Sequence, residues 1–124
     1  MTTRPWLSAY SASMRYLFLI LVAGPAWAHP PTVEAVNVTG DPARFDVTLL
    51  HDDTGWGHYA DGWEILDADG NSSGFRKLHH PHVNEQQFTR SLSGVDLPEG
   101  PLFARAHCSV DGWSKPVPLS SFSN

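Results

Sequence analysis

Seven histidines and a single cysteine hold most of the chemical potential of this 124-residue chain. In order they are His29, His51, His58, His79, His80, His82, His107 and Cys108, with Asp111 three residues beyond the cysteine. Neutral imidazole and thiolate suit iron, copper or zinc, whereas calcium and magnesium ask for oxygen donors, so the acidic residues are not the leading signal. One cysteine cannot close an intrachain disulfide. A lone thiol in an oxidising compartment is explained either as a small buried core residue or as a metal ligand, since coordination holds the sulfur as thiolate.

The compartment follows from the first 28 residues. Arg4 and Arg15 precede the apolar run Tyr16–Ala23, and the small-residue site Ala26-Trp27-Ala28 comes next. Basic, then apolar, then A-x-A is the order of an export signal, and the run falls short of the roughly 20 apolar residues that span a bilayer. Cleavage after Ala28 is therefore expected, leaving a single periplasmic or secreted domain, residues 29–124, with no membrane insertion. Met1 and Met14 both fall in the signal, which excludes a thioether copper(I) site from the mature domain. That domain keeps six of the eight basic residues and all thirteen acidic ones, a formal charge of −7 with histidine neutral. Such a surface is repelled by nucleic acid and by anionic lipid, which argues against both as partners.

The elements that must position the ligands are strands. No long segment of helical period occurs, and turn signals recur at Gly40-Asp41-Pro42, Asp69-Gly70-Asn71, Pro98-Glu99-Gly100 and Asp111-Gly112. Between them lie short alternating or β-branched runs, predicting strands near 32–38, 43–51, 62–67, 73–79, 87–93, 101–109 and 115–120. Seven strands fit an all-β, immunoglobulin-like antiparallel β-sandwich. Alternation sends Phe45, Val47, Leu49, Trp63, Ile65, Leu102, Ala104, Ala106 and Cys108 into the core, and turns His107 the other way. In such a sandwich the chain start and the loops after strands two, four and six share one end. Every mature histidine except His107 then belongs to one pole, together with Cys108 and Asp111.

The order of these residues resembles the iron domain of superoxide reductases, the desulfoferrodoxin and neelaredoxin family. The resemblance is carried by His29-Pro30-Pro31-Thr32-Val33-Glu34-Ala35-Val36, by His51, by His58-Tyr59 with Trp63-Glu64-Ile65-Leu66 following, and by Cys108-Ser109-Val110-Asp111-Gly112-Trp113. It spans nearly all of residues 29–124 but rests on about a dozen positions. The resemblance implies a mononuclear non-haem iron with His29, His51 and His58 as equatorial ligands and Cys108 as the axial thiolate. An open position opposite the sulfur would take superoxide, with an electron donor completing turnover. Two departures stand out. Asp111 occupies the place of the family's fourth ligating histidine, and an oxygen ligand, shorter and harder, shifts geometry and redox potential. The family's glutamate and lysine ahead of the first histidine are also missing, because Ala28 precedes His29.

The segment Leu78-His79-His80-Pro81-His82 has no place on that pattern. In extended chain His80 and His82 project to the same side, so either can complete a coordination sphere that Asp111 leaves short; the plain alternative is a solvated polar loop. Cleavage after Ala28 would also leave His29 with a free amine able to chelate copper together with its ring. Two other readings thus stand beside the superoxide reductase type: an exported copper- or zinc-binding module without turnover, and a sandwich interaction domain whose metal site has decayed. Trp56, Tyr59 and Trp113 flank the proposed ligands and are expected to roof the end of the core.

Overall fold

The computed structural model describes residues 29–122; the expected export signal, residues 1–28, lies outside them. The fold is all-β. Its strands are β1 (Thr32–Thr39), β2 (Ala43–Leu50), β3 (Ala60–Leu66), β4 (Ser72–Lys77), β5 (Phe88–Val95), β6 (Phe103–Cys108), β7 (Gly112–Trp113) and β8 (Val117–Pro118), followed by a 3₁₀ turn over Leu119–Phe122. Every pairing is antiparallel, in two sheets: β1-β2-β5, and β4-β3-β6-β7 with β8 also against β6. No helix among the described residues is long and apolar enough to cross a membrane.

The period-two pattern explains the core. Alternate residues of β2 (Ala43, Phe45, Val47 and Leu49) are fully buried, as are Trp63 and Ile65 of β3 and Ala104, Ala106 and Cys108 of β6. Apart from Cys108, these side chains form one cluster between the two sheets, closed by Val33, Ala60, Leu78, Phe88 and Val95. Leu102, expected inside, is only partly buried against the cluster, because it precedes β6 rather than starting it. Burying a side chain the size of Phe45 or Leu49 contributes about 1.5–3 kcal/mol, so this cluster is the main source of stability.

The C-terminal edge differs from the expected seventh strand. Instead of one strand over 115–120 there are two short pieces, β7 and β8, both paired to β6. Pro116 and Pro118 bring no N–H to a ladder, which limits pairing there. The reversal from β6 to β7 instead uses Gly112, whose φ of 80° is costly for residues with a Cβ. It sets Gly112 opposite Cys108 and fixes Asp111 at the tip beside the sulfur.

Candidate metal centre

Cross-strand register builds the site. Cys108, at the end of β6, lies opposite Ala60 at the start of β3, and the bond from the Ser109 N–H to the Tyr59 carbonyl extends that pairing by a step. His58 therefore arrives beside the β6–β7 turn, where its Nε2 lies 2.9 Å from Asp111 Oδ2. A tight turn, with His58 N–H donating to the Gly55 carbonyl at 3.1 Å, returns the chain toward His51 at the end of β2. The rings of His51 and His58 meet edge to face, centroids 5.3 Å apart.

One potential ligand atom from each of His51, His58, Cys108 and Asp111 lies within 4.8 Å of all the others. Nitrogen, oxygen and sulfur bonded to one ion at about 2.0–2.3 Å sit roughly 3 Å apart when adjacent and about 4.4 Å apart when opposite. The four side chains thus fit a single ion with little rearrangement. Soft sulfur with two imidazoles is the donor chemistry of iron, copper or zinc. Cys108 is fully buried and His51 nearly so, whereas the His58 side chain is 33% exposed. The open side of the group is therefore the His58 side. There, a cavity of about 600 Å³ is lined by His29, Pro30, Thr32, Leu50, His51, Asp52, Thr54 and His58.

Electrostatics show how the four groups bear on one another. Burial pushes the Cys108 thiol above its ordinary value; the Asp111 carboxylate adds to this, and the backbone N–H groups of Asp111 and Val110 only partly offset it. The sulfur accordingly donates to Asp111 Oδ2 at 3.7 Å and accepts from the Val110 N–H at 3.4 Å. Burial opposes ionisation of Asp111 as well, but hydrogen bonds from His58, from the backbone N–H of His29 and from Cys108 outweigh it and hold the carboxyl below its usual range.

Asp53 organises the centre from behind, a role the sequence reading did not assign. Its side chain is wholly buried. Oδ1 accepts from His51 Nδ1 at 2.6 Å and from the Ala60 N–H at 2.9 Å, and Oδ2 accepts from the His82 N–H at 2.7 Å. A carboxylate on Nδ1 fixes the tautomer and aims Nε2 at a ligand position, as in carboxylate–histidine–metal arrangements. Nε2 faces the His29 carbonyl at 3.0 Å. Both nitrogens of His51 thus lie against oxygen atoms. The available signal was the spacing His51-Asp52-Asp53, a carboxylate two residues from a ligand candidate.

The other candidates divide. His29 reaches the group through its main chain, and its ring is not among the four. His80 and His82 do share a side, ring centroids 4.8 Å apart, but neither joins the group. His82 is buried instead, stacked on Phe88 at 3.8 Å, and its Nε2 accepts from Arg90 at 2.9 Å. Gln86 ties this loop to the site, accepting from the His51 N–H and donating to the His82 carbonyl. The segments before β1 and after β2, β4 and β6 therefore do converge on one end. His79 and His80 are exposed. His107 pairs with Asp61 and packs edge-on against Trp113, outside the group. Trp56 is 69% exposed and roofs nothing, because the Gly55–His58 turn carries it outward.

No protein-family model matches the chain, and no solved structure matches it. Over 76 residues it is 38% identical to a protein of Halomicrobium mukohataei named "Putative lipoprotein", a match covering 60% of this chain. The matched stretch covers only 37% of that relative. What the centre does is therefore argued from its donors and their surroundings.

Proposed function

We propose that this chain is an exported metalloprotein in which His51, His58, Cys108 and Asp111 hold one mononuclear non-haem iron, and that it acts on superoxide as superoxide reductases do. The observation carrying this reading is the approach of two imidazoles, a thiol sulfur and a carboxylate within 4.8 Å of one another at one end of the fold. The scaffold we propose is immunoglobulin-like: β1, β2 and β5 against β3, β6 and β7 match the A, B, E and C, F, G division of that sandwich, with β4 transferred to the second sheet. Export is supported by the basic, apolar and A-x-A order of residues 4–28 and by the name of the Halomicrobium relative. A lipid anchor is not carried over from that name, because the one cysteine is buried at the end of β6.

The iron, when bound, supplies one electron to superoxide, which leaves as hydrogen peroxide after taking two protons, and a separate donor restores the electron. The chain's own residues hold and orient. Cys108 supplies the buried sulfur, Asp53 locks the His51 ring, and the cavity beside His51 and His58 admits a small oxidant. Purified exported protein loaded anaerobically with iron(II) and then oxidised is expected to bind about one iron and to show a sulfur-to-iron charge-transfer band that Cys108→Ser removes. Protein that takes up no iron, or a band indifferent to that substitution, overturns the reading.

A second reading is favoured by Asp111. Two nitrogens, one sulfur and one oxygen make a four-donor set that also suits zinc, or copper, without turnover. Zinc or copper retained through dialysis of freshly exported protein, with no charge-transfer band after iron loading, would select it. Should His51→Ala with His58→Ala leave metal content and thermal stability unchanged, the domain is an interaction module and both readings fall.

A further inference from the structure

We infer that Arg90 is a positioning residue of the centre: by donating to His82 Nε2 it fixes the His82 proton on Nδ1, where that proton faces Asp53 and keeps its carboxylate on His51. The inference rests on the proposed metal reading and extends it beyond Asp53, to side chains that are not among the four converging donors.

Strand β5 and the loop before it bring these groups together. Phe88 and Arg90 stand two apart on the strand and so project to the same side. Phe88 stacks on the His82 ring, centroids 3.8 Å apart and planes 12° from parallel, and Arg90 Nη2 lies 2.9 Å from His82 Nε2. The exposed Glu85 carboxylate holds the guanidinium in turn, at 3.2 Å. The ring is thus gripped on one face and at one nitrogen, with its side chain only 3% exposed.

A guanidinium donates and never accepts, so Nε2 meets it with a lone pair. Burial favours the neutral ring, whose one proton then sits on Nδ1. Nδ1 is buried and has no hydrogen-bond partner among the described residues. Such an orphaned donor costs stability and asks for a reason. It lies 3.9 Å from Asp53 Oδ2, too far for a hydrogen bond, while the His82 main-chain N–H meets that same oxygen at 2.7 Å. A wholly buried carboxylate is stabilised by the donors turned toward it, and an N–H dipole at this distance still attracts where the dielectric is low. With the proton on Nε2 instead, a lone pair would face Oδ2 and repel it. The other oxygen, on His51 Nδ1 at 2.6 Å, would shift with it and release the ligand ring.

Arginine is the side chain this arrangement requires. An amide at position 90 could either donate or accept and would admit both tautomers, whereas a guanidinium admits one. The chain from Arg90 through His82 and Asp53 to His51 therefore aims one ligand ring from the edge strand of the first sheet.

The test begins with nitrogen-15 NMR of the parent before metal loading, which should show His82 protonated at Nδ1; a proton on Nε2 overturns the inference. Cobalt(II) then probes the site, its affinity read by chelator competition and its coordination by visible absorption. Arg90→Met removes the donor and is expected to shift the ligand-field bands and lower affinity about three- to tenfold, less than the 10–100-fold typical of a direct partner of a ligand. Arg90→Lys, which still donates, should restore both, and Glu85→Gln, which loosens only the outer pair, should change neither. His82→Phe keeps the stack on Phe88 without either nitrogen. It should lose about as much as Arg90→Met, and the double variant no more than either, because both act through one ring. Parental affinity and bands in Arg90→Met overturn the inference and leave the four-side-chain site standing. Additive losses in the double variant, or equal losses in Arg90→Lys and Arg90→Met, do the same. If the parent itself takes up no cobalt, the inference and the proposed metal function fall together.

Discussion

Asparagine at position 53 tests the organisation of the site most directly, because it keeps the shape of the aspartate and alters only its hydrogen-bonding logic. Three donors converge on the buried carboxylate: His51 Nδ1 at 2.6 Å and the Ala60 N–H at 2.9 Å on one oxygen, and the His82 N–H at 2.7 Å on the other. A carboxylate has lone pairs for all three, but a carboxamide replaces one oxygen by an NH₂ group that is itself a donor. In its better orientation the NH₂ faces the His82 N–H and leaves that group unsatisfied, while the other two bonds become neutral ones. An orphaned buried donor costs about 1–3 kcal/mol, and each bond that loses its charge about 1 kcal/mol more, giving about 3–5 kcal/mol in all. In a domain of this size 1 kcal/mol moves the thermal midpoint by about 4–8 °C, so Asp53→Asn should melt at least about 12 °C lower. Metal affinity should fall about 10–100-fold, since the His51 ring loses the partner that orients it. Circular dichroism melts of metal-free protein, followed by chelator competition, read both. A midpoint within about 4 °C of the parent together with unchanged affinity would show that Asp53 does not organise the centre.

Three further outcomes are expected. Because burial keeps the Cys108 sulfur as a thiol, metal uptake must release its proton, so affinity should fall by up to about tenfold per unit of pH toward acid. A profile no steeper in the parent than in Cys108→Ser would contradict this. His82 is held below the usual imidazole value, chiefly by burial and then by Arg90 and His80, with Glu85 and Asp53 opposing. The unfolded chain therefore binds the proton more readily, and the contribution to stability is complete above about pH 6.5 and is lost as pH falls below it. Metal-free parent should accordingly lose more of its thermal midpoint than His82→Gln between pH 7.5 and pH 5.5; an equal loss in the two would refute the assignment. Leu49→Ala, at a fully buried position between the sheets, should cost about 2–5 kcal/mol in urea unfolding, and a cost under about 1 kcal/mol would mean that Leu49 is not a core residue.

Read from the sequence alone, the strands and their inward faces were largely legible. Side-chain direction alternates from residue to residue, so Phe45, Val47 and Leu49, or Ala104, Ala106 and Cys108, announce a buried face without reference to the rest of the chain. Donor types were legible for the same reason, since an imidazole or a thiol is a property of one residue. Partner choice was not. Whether His82 meets a metal or stacks on Phe88, and whether His29 offers its ring or its backbone, depends on distances between segments that only the packed sheets bring together. Asp53 shows the same limit. Its place in the sequence beside His51 is plain, but its hold on His51, Ala60 and His82 at once exists only where β2, β3 and the loop after β4 meet, because a hydrogen bond acts over about 3 Å and chain neighbours alone cannot supply three donors at that range.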